Sequence, residues 1–184
     1  VRNAVILGGG SAHDSYKDAL ASWVAEGSIA ATSDLDGFQH IDDLIGWCSE
    51  FGLWISLDMH AAPGSQGVTL GITDGFYPNN LWEYPVFQDV LVDIWDAISD
   101  RYRDESRIAM YEFINEPNNV PGGGPAIRDL TQRLITMVRN KGDQHLIGVH
   151  GNGYSNVYDN MLPSDFSPNW GLVYHCLLYT SDAA

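Results

Sequence analysis

Basic residues are scarce in this 184-residue sequence: 9 Lys and Arg stand against 24 Asp and Glu, a formal net charge of −15. Such a surface repels phosphate backbones and anionic lipid, so nucleic-acid and membrane-surface binding are disfavoured and a neutral polymer is the more plausible ligand. Cysteine is nearly absent, and Cys48 and Cys176 lack the spacing of a metal knuckle and say little about redox compartment. No apolar stretch reaches the roughly 18 residues needed to span a bilayer. No basic-then-apolar leader opens the sequence, but its first residue is Val1 and not Met, so this says nothing about export. The six histidines show no paired metal-ligand spacing. Gly8-Gly9-Gly10-Ser11 lacks the third glycine of a dinucleotide site, and no lysine completes a phosphate loop. Neither a metal nor a cofactor is expected.

What is present is material for a core. With 45% hydrophobic and 11% aromatic residues, the chain can bury one sizeable core and reads as one domain or part of one. Two amphipathic helical patterns come first, one carrying Tyr16, Leu20, Trp23 and Val24, the other Phe38, Ile41, Leu44, Ile45 and Cys48 before a stop at Gly52. Leu53 to Asp58 is short, apolar and continuous, as a strand buried on both faces should be. A long loop rich in Gly, Pro and Asn runs from Met59 to Tyr84. From Pro85 a helical stripe carries Phe87, Val90, Leu91, Ile94, Trp95, Ile98 and Tyr102. Ile108 to Ile114 reads as a second buried strand. A helix with Pro125 at its start carries Leu130, Leu134, Ile135 and Val138, and His145–Val149 and Gly171–His175 complete the strand set.

Strand, loop and helix repeating in this order call for right-handed crossovers and a parallel sheet. Polar residues gather just past the C-terminal end of each strand: Asp58 and His60, Asn115 and Glu116, His150 to Asn152, and His175. A (β/α)8 TIM barrel places its active site at that face, whereas a doubly wound sheet would gather polar residues mainly at its switch point. The α/β barrel therefore leads, and since it typically takes about 250 residues, a truncated version with roughly strands 2 to 6 is expected. Residues 1–176 are assigned to this partial barrel. Residues 177–184 depart from the strand pattern and read as a non-native tail.

Ile114-Asn115-Glu116-Pro117 closes a buried strand, so an acid and an amide stand at the barrel mouth, and Pro117 forces the chain out of the ladder. Glycosidic cleavage needs a protonated carboxyl at the leaving oxygen, and an adjacent Asn can bond a sugar 2-hydroxyl. The bland alternative is a Glu capping a strand end beside a turn-forming Pro. His60 can contact sugar hydroxyls or orient the acid; the alternative is a His satisfied by Asp58. Ala61 to Gly67 reads as a tight turn shaping the cleft. Trp82, Tyr77, Tyr84 and Tyr154 are candidates for stacking on pyranose faces, against core packing or loop anchoring. Gly151-Asn152-Gly153-Tyr154 would line the same cleft.

These motifs together resemble glycoside hydrolase family 5, the cellulase family. The phrases Ile41-Asp42 through Trp47-Cys48, Phe51-Gly52-Leu53, Leu57-Asp58-Met59-His60-Ala61-Ala62-Pro63-Gly64-Ser65-Gln66, Ile94-Trp95 with Arg101-Tyr102, and Phe113-Ile114-Asn115-Glu116-Pro117 occur there in this order and spacing. The resemblance runs from about Phe38 to His175. It implies that Glu116 is the acid/base, Asn115 its sugar-binding neighbour, and His60 and His175 the histidines after the third and sixth strands. Arg2 takes the place of the arginine near the second strand. A second Glu after the seventh strand, the nucleophile, has no matching position in this sequence, and an aromatic expected two residues after His175 is replaced by Leu177. Glu112 and Asp58 read as buried supporting carboxylates on their strands.

The resemblance further implies a secreted or extracellular, monomeric glycosidase that cleaves a β-glucan with retention, most simply as an endo-β-1,4-glucanase in polysaccharide catabolism. The chain by itself is expected to be inactive. An exo-β-1,3-glucanase and a non-catalytic carbohydrate-binding barrel are the rivals. Aldolase or isomerase chemistry needs a strand-end Lys or phosphate loops, which the sequence does not offer.

Overall fold

A computed structural model describes residues 36–69 and 79–176 of the chain. The helical pattern with Tyr16 and Trp23, together with Arg2, Tyr77 and the tail 177–184, lies outside the described residues. The first described helix, α1 (Asp36–Phe51), ends where the periodicity predicts. Gly52 takes φ +68°, and this left-handed residue lets the Leu53 N–H donate back to the Cys48 carbonyl at 2.8 Å.

Four strands follow, β1 (Ile55–Asp58), β2 (Ile108–Glu112), β3 (Leu146–His150) and β4 (Leu172–His175), in one sheet of order β1-β2-β3-β4. Every pair is parallel, so each connection must cross back over the sheet. After β1 the crossover carries the short helix α2 (Asn80–Glu83) and the long α3 (Pro85–Tyr102), and after β2 it carries α4 (Gly123–Asn140). The link from β3 to β4 has a single turn at Asn152–Ser155 and a 3-10 turn at Pro163–Asp165. Predicted strand ends shift by a few residues: β2 stops at Glu112 because the chain leaves the ladder before Pro117, and β3 begins at Leu146 and includes His150. The helix predicted to start at Pro125 opens instead at Gly123, behind a left-handed Gly122.

The stripes of α3 and α4 face the sheet as expected. Phe87, Leu91 and Trp95 from α3, Ile127, Leu134 and Ile135 from α4, and Tyr111, Phe113 and Ile147 from the strand side are almost fully buried. Burying such a side chain contributes about 1.5–3 kcal/mol, so these stripes, rather than helix propensity, fix the helices on the sheet. Trp95 meets Tyr111 at a tilt and Phe113 edge-to-face, with ring centroids 5.2 and 5.1 Å away, and its indole N–H donates to the Phe113 carbonyl at 3.1 Å. That bond pins the backbone directly before Ile114-Asn115-Glu116.

One expectation needs correction. The Leu53–Asp58 run is not buried on both faces: Leu53 and Trp54 are 57% and 73% exposed, and of the strand itself only Ile55 is fully buried. Among the described residues β1 pairs with β2 alone, and Trp47 and Phe51 of α1 are exposed.

Candidate active site

Parallel pairing brings the strand ends to one edge. Asp58 lies opposite Glu112, Glu112 opposite Gly148, Gly148 opposite Val173, and His150 opposite His175. Residues 56 to 175 of the sequence thereby meet in a band one or two residues deep. The Met59 N–H donates to the Glu112 carbonyl at 3.0 Å, and the Asn115 N–H donates to the Met59 carbonyl at 3.2 Å, which carries the β1–β2 pairing past the ladder to the Asn-Glu-Pro segment.

Glu116 is half-buried and takes φ +42°, in the left-handed region that a residue with a Cβ enters at a cost of about 1–3 kcal/mol. Its surroundings hold it there. The Glu116 N–H donates to Nδ1 of His150 at 3.2 Å, and the Pro117 carbonyl accepts from the Tyr154 N–H at 3.2 Å. Asn115 is buried, and its side-chain nitrogen has no hydrogen-bond partner among the described residues.

Below this segment Glu112 is the hub. Its Oε1 accepts from the Ser56 hydroxyl at 2.6 Å, and its Oε2 accepts from Nε2 of His150 at 2.7 Å and Nδ1 of His175 at 2.9 Å. The two imidazoles face each other with centroids 4.5 Å apart. The His150 bond, helped by those from Ser56 and His175, outweighs burial and holds the carboxyl at about 2, so it is ionised and an acceptor only. Its side chain needs the bare backbone of Gly148, where a Cβ would lie 2.7 Å from Glu112 Cγ. Glu112 therefore fits the supporting place expected for it. Asp58 differs: burial, with the neighbouring Glu112 charge adding to it, pushes its carboxyl above the ordinary range despite a 2.9 Å bond to Nδ1 of His60.

The His60 side chain is 61% exposed, and Asp58 is its ring partner among the described residues. Gln66 ties the loop to the motif: its Nε2 donates to the carbonyls of His60 at 3.0 Å and Asn115 at 2.8 Å, and its Oε1 accepts from the Ala62 N–H. Trp82 is half-buried against the core and donates its indole N–H to the Gln66 carbonyl at 3.0 Å, so one edge of the ring anchors the loop. The Tyr84 ring packs on Phe87. Tyr154 is 37% exposed, and its hydroxyl meets the Thr69 hydroxyl at 2.8 Å, joining the loops after β1 and β3.

The structure thus brings Glu116, Asn115, His60 and His175 to one edge, with Tyr154 above β3 and Trp82 behind the Gln66 turn; Arg2 lies outside the described residues. The strand-end pattern groups His150 with the other polar ends but gives it no role. Its legible signal is its place directly after the apolar run Leu146–Val149 and before Gly151.

Glu112, His150 and His175 are the one set among the described residues whose donor atoms could surround a cation, lying within 4.8 Å of one another. Ligands at 2.0–2.1 Å around a tetrahedral zinc stand about 3.3 Å apart. The 2.7 and 2.9 Å contacts here are hydrogen bonds to one oxygen and do not fit a ready-made site.

The description Cellulase (glycosyl hydrolase family 5) matches residues 14–180. The chain belongs to that family. A beta-xylosidase of Phanerodontia chrysosporium is 28% identical over 138 residues, 73% of this chain and 28% of that protein. Endoglucanase C of Acetivibrio thermocellus is 29% identical over 120 residues, 65% of this chain and 33% of that protein. Thermotoga maritima Cel5A, solved in complex with cellobiose substrate, superposes with a TM-score of 0.59 at 16% identity, covering 79% of this chain and 42% of that one. That likeness is one of fold: the four parallel strands and their helices are part of a (β/α)8 barrel. The chain spans about a third of the length of these curated relatives and under half of the solved structure.

Proposed function

We propose that the protein to which this chain contributes is a retaining glycoside hydrolase of a β-linked glucan, with Glu116 as acid/base. The observation that carries the reading is the placement of Glu116: a half-buried carboxyl at the strand ends of a barrel, held in a left-handed conformation by bonds to its own main chain. Glu116 protonates the leaving glycosidic oxygen and then deprotonates the water that releases the sugar. Asn115 stands next to Glu116 at the strand ends and takes the place of its sugar-binding neighbour. His60 and His175 border the same mouth, and Tyr154 and Trp82 give aromatic surface to its rim.

Double displacement needs a second carboxylate as nucleophile. Glu112 does not suit that role, since Ser56, His150 and His175 occupy both its oxygens. In this reading the nucleophile comes from the remainder of the barrel, and the isolated chain is inactive. The substrate is neutral, as a net charge of −15 favours, and the cleavage is of the endo-β-1,4 kind, its endo mode in keeping with the relative named Endoglucanase C. The enzyme acts outside the cell as a monomer. No helix among the described residues is long and apolar enough to cross a membrane.

The complete barrel should hydrolyse β-1,4-glucan in preference to β-1,3-glucan and shorten chains internally. Glu116→Gln should cut turnover on unactivated substrate by orders of magnitude with an unchanged circular dichroism spectrum. Ordinary turnover by that variant would sink the assignment of Glu116; binding without turnover in the wild-type complete barrel would favour a carbohydrate-binding protein; preference for β-1,3-glucan with release from chain ends would favour an exo-β-1,3-glucanase.

A further inference from the structure

We infer that His150 is a positioning residue for Glu116, acting through a single ring tautomer that Glu112 imposes. The inference rests on the reading of Glu116 as acid/base. His150 is buried and bonds Glu116 at the main-chain N–H. Its Nε2 lies 2.7 Å from an ionised carboxylate oxygen of Glu112, which can only accept, so the proton sits on Nε2. Nδ1 accepts the Glu116 N–H at 3.2 Å and therefore presents its lone pair, and the buried Ser155 hydroxyl stands 2.9 Å from the same nitrogen.

The polarity of this chain runs one way. Glu112 fixes the His150 tautomer, the tautomer supplies an acceptor, and the acceptor holds the amide of a residue at φ +42°. The opposite tautomer would set an N–H against the Glu116 N–H. Ser155 contributes from the other side: Tyr154 and Ser155 are themselves left-handed, at φ +59° and +61°, and this turn aims the Ser155 hydroxyl at the ring while the Tyr154 N–H holds the Pro117 carbonyl. The loop after β3 and the last residue of β3 thus clamp the Glu116-Pro117 peptide on both sides. Displacing a reacting group by about 1 Å can cost on the order of a hundredfold in rate.

The test uses the complete barrel and three replacements of His150. An Asn places its carbonyl oxygen where Nδ1 stands and keeps the acceptor; a Gln reaches to the Nε2 position and loses it; a Phe keeps only the ring volume. On unactivated glucan, His150→Phe and His150→Gln should lose about ten- to a hundredfold in kcat with KM changed less than about twofold. His150→Asn should recover most of that loss, and nitrogen-15 spectra of the wild type should show Nε2 protonated and Nδ1 bare. Equal activity of the Asn and Gln variants would overturn the inference, and that comparison holds even where the Phe variant fails to fold. So would a protonated Nδ1, or wild-type kcat in His150→Phe. Glu116→Gln is assayed in parallel: ordinary turnover there removes the acid/base reading itself, whereas its loss beside a fully active His150→Phe removes only the role of His150.

Discussion

Replacing Glu112 by Gln measures how much the strand-end network contributes to the barrel. The carboxyl is held at about 2 rather than its ordinary 4.5, chiefly by the bond to His150, and it is buried, so solvent screens the interaction little. At about 1.4 kcal/mol per pH unit, that difference corresponds to roughly 3 kcal/mol of stability at pH 7. The sign follows from the depressed folded-state value: the contribution is complete above the unfolded value of 4.5 and is lost as pH falls through 2. Gln conserves the shape. Its carbonyl oxygen can face the two imidazoles and its amide can donate to the Ser56 hydroxyl, so what disappears is the charge assistance of the bonds. Urea denaturation of the complete barrel, wild type against Glu112→Gln, should show a difference of about 3 kcal/mol at pH 7 that shrinks to about 1 kcal/mol at pH 3. Taking the difference between the two proteins cancels the other carboxylates that titrate over this range. A difference that stays constant with pH, or that lies below about 0.5 kcal/mol at pH 7, would refute the reasoning.

The same network predicts that Gly148→Ala destabilises by about 1–3 kcal/mol, because the added methyl would stand 2.7 Å from Glu112 Cγ; unchanged thermal unfolding would show that the side chain has room to yield. Gln66→Leu should leave the His60 and Asn115 carbonyls without their donor and weaken glucan turnover together with stability, by about 1–3 kcal/mol in a urea titration; equal stability would mean that the turn holds itself. At the opposite end of the sheet, Asp143 accepts from the Ser99 hydroxyl and pairs with His145 at 2.6 Å, and Nε2 of His145 lies 3.0 Å from the Glu105 carbonyl. Burial opposes both charges, but these bonds prevail and leave Asp143 lowered and His145 raised. The pair therefore stabilises fully between the ordinary Asp and His values, from about pH 4 to 6.5, and less above and below. His145→Gln should cost more stability at pH 6 than at pH 9, and a cost independent of pH would rule the ion pair out.

Much of this was legible in the sequence because it is written in local periodicity. The 3.6-residue stripe from Phe87 to Tyr102 needs only its own spacing to declare a helix and the face it buries, and Gly52 needs only its freedom at positive φ to end one. The strand before Ile114-Asn115-Glu116-Pro117 declares itself too, since a buried apolar run followed by an acid and a proline leaves few alternatives. Other features depend on chain segments far apart. Leu53 and Trp54 carry an apolar pattern that says buried, yet whether a strand has neighbours on both sides is a property of the sheet, and among the described residues β1 pairs with β2 alone while Leu53 and Trp54 are exposed. That the indole N–H of Trp82 would find the Gln66 carbonyl, 16 residues away, is likewise set by how the loop folds back and not by composition.

The sequence by itself determined which residues could do chemistry and at which end of their strands they stand, because side-chain type and period are local. Only the tertiary structure decided that Glu112 meets His150 and His175, 38 and 63 residues away, and that His150 in turn holds the amide of Glu116. Those contacts follow from the register between parallel strands, which is set by packing across the whole sheet and is carried by no short stretch of sequence.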